Sequence, residues 1–502
     1  MAEILTLPEF LREGVQKWPD KPWLHTPEGT TTRAALYADA LRCLGGLRGL
    51  GVEPGDHVVI VLPNGQDFLR AWFAAGLCGA VSIAVNPQAT SELPAVVKDT
   101  GAKLVVVPAD FTAGDLGGVP VTTVAELKAA EPADPVVCAP ESPATYIQSS
   151  GSTGRPKFII ETHGMYTMAA EGYPYWLGLT EDDVCLTTLP LSHLNAQAYS
   201  TLGTWGNGAE LVLLPKFSAS TFWETVHRYG VTVFNAIGAM IEILMEREPS
   251  SAERGHKLRY AYSAPAPVEA RHKEIEERFG LRLAIGYALS ETPYGLIVPL
   301  DEPPAYGSMG RPRQHPRFGR VNEARIIGPD GAEVPAGQTG ELQLRNPALS
   351  PGYFGLPDET RALRSDGWLH TGDLAYADAA GNLYFAGRLK EIIRRRGENL
   401  SPADVEVVLD AHPAVSSSAV IGVPSPLSEE DVKAFVLRKP DTEVGAGELA
   451  AWAAKRLPPY KRPRYLEFVE SWPLTETHKI AKRLLPTTRT ANEVDFDLRS
   501  GA

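Results

Sequence analysis

Ser149-Ser150-Gly151-Ser152-Thr153-Gly154-Arg155-Pro156-Lys157 sets four hydroxyl side chains and two glycines ahead of a lysine. Just upstream, Ala144-Thr145-Tyr146-Ile147 reads as a short strand. Glycine has no Cβ, so the backbone can approach a ligand and present its N–H groups. Successive N–H groups in a turn form an anion-binding concavity, to which hydroxyls and a lysine add donors. That chemistry suits a triphosphate. The spacing is not the Walker pattern, because no Gly-Lys-Ser/Thr follows. Read alone, the stretch is also compatible with a polar loop between two strands.

Five further stretches stand downstream in order. They are Gly286-Tyr287-Ala288-Leu289-Ser290-Glu291-Thr292, Gly367-Trp368-Leu369-His370-Thr371-Gly372-Asp373, Gly387-Arg388-Leu389-Lys390-Glu391, Arg396-Gly397-Glu398-Asn399 and Pro473-Leu474-Thr475-Glu476-Thr477-His478-Lys479. With the first loop, they resemble the adenylate-forming superfamily of acyl-CoA ligases, adenylation domains and luciferases. The resemblance runs from about Leu5 to Leu485. Six motifs in one order are far more specific than any one of them.

Composition agrees with an ordinary globular enzyme. The chain has 502 residues, 44% hydrophobic and 22% charged, enough for a large core and two to four domains. A net charge of −13 argues against a nucleic-acid footprint or a basic membrane patch. Cys43, Cys78, Cys138 and Cys185 form no CxxC pair, so free thiols in a reducing compartment are expected. The start, Met1-Ala2-Glu3-Ile4-Leu5, lacks the basic and apolar regions of a signal peptide. No apolar run approaches the roughly 20 residues that span a bilayer. A cytoplasmic enzyme without integral membrane association, monomeric or homodimeric, is expected.

Short apolar runs alternate with helical spacing. Val58–Leu62, Lys103–Val107 and Glu210–Leu214 read as buried strands, and Gln66–Ala75, Asn235–Met245 and Pro267–Phe279 as helices. Such alternation predicts parallel sheets covered on both faces. From Gly319, tight turns such as Gly328-Pro329-Asp330-Gly331 between short runs predict a small β-rich part, including strands at 324–327 and 340–345. Further on, 402–412 and 447–456 read as helices and 418–423 and 432–437 as strands. The tail after Thr488 shows no periodicity and is expected to be loose. The fold class expected is α/β. A large N-terminal adenylation domain over 1–387 holds two α/β sheet subdomains and the β-rich subdomain. A hinge at 388–390, a small mobile α+β C-terminal domain over 391–488 and a tail over 489–502 complete the chain.

The resemblance implies an ATP-dependent acid–thiol ligase. A carboxylate attacks the α-phosphate of ATP, pyrophosphate leaves, and a thiol, that of coenzyme A, takes the acyl group. Both steps build negative charge that fixed donors and a cation stabilise. The loop from Ser149 through Ser150, Gly151, Ser152, Thr153 and Gly154 to Lys157 is implied to hold the β- and γ-phosphates, with Ser290 contributing a hydroxyl. Glu291 matches the acid that helps hold Mg2+, a hard cation that prefers oxygen ligands; by position alone it also reads as a helix-start acid after Ser290. Asp373 matches the acceptor of both ribose hydroxyls, and Arg388 a second ribose contact. Tyr287 and Ser263-Ala264-Pro265 are implied to flank the adenine, although Tyr287 is equally a core aromatic by spacing. Lys479 matches the lysine that reaches the carboxylate and α-phosphate during adenylation. Lys390 falls at the hinge.

Gly397 matches the glycine facing the pantetheine in the second step. Arg394, Arg396, Lys461 and Arg462 are candidates for the phosphates of coenzyme A, or a solvated basic face. His193 matches the residue that gates the acyl pocket, which is expected to draw on His193, Asn195, Phe234, Asn235, Gly286 and Leu289.

Several positions depart from the family's commonest pattern. Phe158 replaces a glycine, Ala288 stands where glycine is common, and Ser290 replaces threonine while keeping the hydroxyl. His478 precedes Lys479 where glycine, which tolerates positive φ, is usual. Such departures keep two alternatives in view: an atypical enzyme with another acceptor, such as an ATP-dependent diazotase activating nitrite toward an aromatic amine, and a catalytically silent nucleotide-binding relative. Retention of Glu291, Asp373 and Lys479 argues against the silent one. An NAD-dependent enzyme lacks its strand-GxGxxG-helix start here. Asn195 stands where amino-acid-activating relatives carry an aspartate, and a neutral amide cannot balance a buried ammonium. The stretch from His193 to Met240 most resembles ligases of the carnitine and crotonobetaine type, with some likeness to aryl-acid ligases.

Overall fold

Val58, Val59 and Ile60 are each fully buried, and alternate residues of their strand enter different cores. Val58 and Ile60 join one cluster with Leu104 and Val106, whereas Val59 joins another with Val105 and Val107. A strand covered on both faces reads as an unbroken apolar run, which is why this part was legible. A computed structural model describes residues 3–88, 90–112, 114–149, 157–395, 398–425, 429–474 and 480–496, with the backbone only at 149, 398 and 399. The chain divides into two compact units. The first is Met1–Ala324 with Leu344–His370, and the second is Arg325–Gln343 with Thr371–Ala502.

Two sheets build the first unit. One runs in the order Val121–Thr123, Leu104–Val107, His57–Ile60, Val81–Ala84, Pro143–Ser149 and Lys157–Thr162. Its neighbours are parallel except the last pair, an antiparallel hairpin. The other contains the parallel order Arg282–Leu289, Tyr260–Ser263, Val233–Asn235, Val184–Thr187, Glu210–Leu213 and Pro22–Thr26. Strand Thr292–Ile297 then returns antiparallel to Arg282–Leu289, and Ser308–Pro312 pairs antiparallel with it. The helix His163–Leu177 is almost wholly buried. It is followed in sequence by a π-helix over Asn195–Leu202, where the Thr201 hydroxyl donates to the carbonyl of Ala196, five residues back.

The second unit contains a four-stranded sheet in the order Val415–Pro424, Glu430–Arg438, Tyr465–Val469 and Glu493–Asp495. Helices Pro402–Asp410 and Ala446–Ala454 supply Val405, Leu409 and Leu449 to the core with Val420, Val436 and Leu466. The mixed α/β class, with a larger N-terminal and a smaller C-terminal part, agrees with the sequence reading.

Two local expectations are corrected. Residues 235–245 are not all helix: Val233–Asn235 is a strand and the helix is Gly238–Met245. The β-branched and aromatic run before Asn235 extends the strand through it. The tail after Thr488 is not featureless, because Glu493–Asp495 pairs antiparallel with Tyr465–Glu467. The buried Lys433 ammonium, 2.8 Å from Glu493, ties that segment to the sheet. All four cysteines are free thiols, and three are buried.

Candidate active site

The hairpin Pro143–Ser149 and Lys157–Thr162 pairs Ser149 with Lys157, so the intervening loop joins two fixed ends. Ser150, Gly151, Ser152, Thr153 and Gly154, and the side chain of Ser149, lie outside the described residues. Lys157 lies with its ammonium 5.0 Å from the ring centre of Tyr353. The Tyr353 hydroxyl donates to Glu291 Oε1 at 2.8 Å. Burial first, then Glu291, raises the Tyr353 phenol above its ordinary value.

Ser290 and Glu291 form the two-residue turn between strands Arg282–Leu289 and Thr292–Ile297, with Leu289 paired to Thr292. Glu291 is therefore not a helix-start acid. The bond from Tyr353 engages one carboxylate oxygen, and the other suits a hard cation. Among the described residues, no cluster of three or more metal-ligating side chains occurs. Beneath Glu291 lies Glu161, fully buried, with neither carboxylate oxygen hydrogen-bonded to a described residue. Burial, then Glu291, pushes its carboxyl well above the usual carboxylate range.

Ser263 ends strand Tyr260–Ser263 and pairs with Ile285, beside Gly286. Its hydroxyl is buried without a partner among the described residues. Ala264 and Pro265 follow on the surface. Tyr287, half-buried, pairs across the hairpin with Leu296.

His193 accepts, through its carbonyl, the N–H of Gln197 at the start of the π-helix. Asn195 opens that helix, and its Oδ1 accepts from Asn235 Nδ2 at 2.6 Å. The same nitrogen donates to Ser200 Oγ at 2.6 Å, and Asn235 Oδ1 has no described partner. The structure thus brings Asn195 and Asn235 together across 40 positions. Phe234 packs instead with Phe217 and Phe222 and lines a small apolar cavity with Trp223. Leu289 is half-buried at the end of its strand.

Gly286 lies where no side chain fits. A Cβ there would stand 2.5 Å from the Tyr262 hydroxyl and 2.6 Å from Arg313 Nη2. Sequence reading missed both residues. Arg313 is fully buried, and nothing in Gly310-Arg311-Pro312-Arg313 marks it as such.

In the second unit, strand Trp368–Ala377 pairs Asp373 with Arg388 of Leu383–Arg388. Arg388 Nε is 3.3 Å from Asp373 Oδ1. Gly372, at φ 68 within the strand, takes a backbone conformation that a side chain would strain. Its N–H donates to Glu341 at 3.3 Å, the Thr371 hydroxyl donates to the carbonyl of Leu342, and the Asp373 amide donates to the Thr371 hydroxyl at 3.1 Å. The two ribose candidates are therefore adjacent.

The basic candidates separate. Arg462 donates to the carbonyls of Leu457 and Ala454, closing the end of helix Ala446–Ala454. Lys461 pairs with Asp404 at 2.6 Å, and the exposed Arg394 lies 3.5 Å from Glu429. Lys390 is exposed in the short turn Leu389–Glu391. Arg396, Gly397, His478 and Lys479 lie outside the described residues.

Residues 11–354 match the AMP-binding enzyme family, and residues 404–479 match the AMP-binding enzyme C-terminal domain. The chain belongs to the AMP-binding enzyme family. It is 30% identical to the sulfoacetate–CoA ligase of Cupriavidus necator, over 95% of this chain and 96% of the relative. It is 32% identical to a crotonobetaine/carnitine–CoA ligase of Escherichia coli, over 87% of this chain and 89% of the relative. Among solved structures, the O-succinylbenzoate coenzyme A synthetase of Bacillus subtilis in complex with AMP superposes with a TM-score of 0.85. That match is 27% identical and covers 96% of this chain and 98% of the other.

Proposed function

We propose that this protein is an AMP-forming, ATP-dependent acid–CoA ligase. The observation that carries the reading is the meeting of Lys157, Tyr353 and Glu291 at the end of the loop-bearing hairpin. A cation, a phenol and a carboxylate there match what a magnesium–triphosphate requires. The relatives named as CoA ligases support the same reading. They do not favour the diazotase or silent-relative alternatives.

In this reading Lys157 and the donors of residues 149–154 hold the β- and γ-phosphates. Glu291 would hold Mg2+, which would supply positive charge against the phosphates. Ser290 adds a hydroxyl to the phosphates. Asp373 and Arg388 hold the ribose, and Tyr287 and residues 263–265 flank the adenine. The substrate carboxylate attacks the α-phosphate, with Lys479 stabilising the charge that develops on both. His193 gates the acyl pocket, and Gly397 faces the pantetheine of the incoming coenzyme A. Arg394, Arg396, Lys461 and Arg462 are its phosphate candidates; Lys461 and Arg394 would exchange their carboxylate partners for it. Rotation about Lys390, between an adenylation domain over 1–387 and a C-terminal domain over 391–488, exchanges the two half-reactions. No helix among the described residues is long and apolar enough to cross a membrane. The enzyme is read as cytoplasmic, a monomer or homodimer.

The test is pyrophosphate release across a panel of carboxylic acids, each with and without coenzyme A. The reading predicts AMP and pyrophosphate, with thioester formed when coenzyme A is present. ADP and phosphate as products would overturn it. AMP formation driven only by nitrite with an aromatic amine would move it to the diazotase.

A further inference from the structure

Arg313 is a buried cation with no acidic partner among the described residues. Its Nε donates to the Leu296 carbonyl at 2.9 Å, and Nη1 to the Tyr199 hydroxyl and the Pro293 carbonyl at 2.8 and 2.9 Å. Nη2 donates to the Tyr262 hydroxyl at 2.5 Å. Every partner is neutral. Among the described residues, no carboxylate lies within ion-pair distance, although the side chain is only 1% exposed. The face of Trp176, 4.2 Å from the guanidinium, offsets part of the charge. A guanidinium carries five N–H groups, so one on Nη2 remains beyond the four bonds above. Buried charges are ordinarily paired.

The unpaired corner lies at a chemically suggestive place. Nη2 and the Tyr262 hydroxyl are the two polar atoms that crowd the missing side chain of Gly286. Tyr262 is in register with Asn235 on one neighbouring strand and with Ala284, two residues before Gly286, on the other. Gly286 and Asn235 are both among the residues that the family resemblance implies for the acyl pocket. Because Tyr262 and Arg313 fill the space that Gly286 leaves, the pocket is closed there by a polar, positively charged floor. An apolar chain or ring ending on that floor would leave the charge uncompensated and desolvated.

Resting on the ligase reading, we propose that the acid activated here is short and carries a second anionic group, a carboxylate or a sulfonate, which is held at the Arg313–Tyr262 corner. The reacting carboxylate then points toward the α-phosphate and the second group toward Arg313. Arg313 is a specificity residue and takes no part in bond making.

The experiment measures kcat/KM for pyrophosphate release with length-matched acids. Malonate, succinate and glutarate present a second carboxylate, sulfoacetate and 3-sulfopropionate a sulfonate. Propionate, butyrate, carnitine and benzoate do not present a second anion in that position. The doubly anionic acids should exceed matched monoacids by about a hundredfold, the scale on which buried charge pairs discriminate. Whichever of the carboxylate or sulfonate series leads identifies the second group. In Arg313→Gln that ratio should collapse toward one, mainly through KM. Should this variant fold poorly, Tyr262→Phe keeps the ring and should cut the ratio by about tenfold. Equal loss for all acids, or a wild-type preference for butyrate, carnitine or benzoate, would reduce Arg313 to a structural strut and overturn the inference. In those outcomes pyrophosphate is still released and the ligase reading stands. Release with none of the acids would remove both.

Discussion

Arg313 and Lys433 are both buried cations, each 1% exposed, yet the fold treats them differently. Lys433, in the second unit, has its ammonium 2.8 Å from Glu493 and 3.1 Å from Glu467, and it also donates to the Thr488 carbonyl. Its charge is balanced within the sheet it helps to assemble. Among the described residues, Arg313, in the first unit, has only hydroxyls, carbonyls and aromatic faces as partners. Arg33, also buried in the first unit, is likewise held by carbonyls alone among the described residues, those of Trp205, Thr204 and Ala209. What sets Arg313 apart is its place beside Gly286, a residue of the proposed acyl pocket.

The largest effect should come from breaking the paired case. Lys433→Met leaves Glu467 and Glu493 buried together, and should cost about 3–5 kcal/mol. Hydrogen exchange at Phe435 and Leu466 amides in the full chain reads it, and adding Glu493→Gln should recover part of the loss. Arg313→Met orphans no acid, so its stability cost should be smaller, about 1–3 kcal/mol, from carbonyls and hydroxyls left without a donor. If the two losses are equal, the contrast between the cations fails.

Gly286→Ala sharpens the same comparison from the other side. Its methyl would collide with Tyr262 and Arg313, with a cost of about 1–3 kcal/mol in thermal unfolding and a loss of pyrophosphate release. Tyr262→Phe in that background removes the nearest atom and should restore some stability. No recovery would mean that the corner is not what excludes a side chain.

A smaller effect concerns buried groups that escape charge altogether. Glu161 has its carboxyl raised, so the native state keeps a proton that the unfolded state loses above its ordinary carboxylate value. Stability then falls as pH rises from that value, by at most about 1.4 kcal/mol per pH unit, the slope of one proton. His163, two residues on, has its imidazole lowered to about 4 by burial, and Glu9 only partly opposes this. Here the unfolded state binds the extra proton, so stability falls as pH drops from about 6.5 through 4. Glu161→Gln should flatten the first slope and leave the second. Denaturant midpoints across pH separate them.

The parts legible from sequence were those with local causes. The strand at 57–60 is apolar throughout because both its faces are covered. The Asp373–Arg388 neighbourhood follows from two short motifs that a single hairpin pairs. Other features depend on distant partners. Arg313 is understood only through Tyr199, 114 positions away, and Tyr262, 51 away. The strand at 493–495 is held by an ion pair spanning 60 positions. Asn235 reads as a helix start until its pairing with Tyr262 and Thr187 is seen. The π-helix that opens at Asn195 has no pattern in periodicity, since one added residue per turn leaves no distinct apolar repeat.

Attack of a carboxylate on the α-phosphate leaves one carboxylate oxygen bridging carbon and phosphorus, and thiol attack at the carbonyl carbon then releases that oxygen with AMP. Turnover of an acid labelled with ¹⁸O in its carboxylate, with ATP and coenzyme A, therefore tests the ligase reading directly by mass spectrometry of the nucleotide. The account predicts AMP carrying one ¹⁸O atom, with unlabelled pyrophosphate. Unlabelled AMP, or label in inorganic phosphate accompanied by ADP, would contradict it.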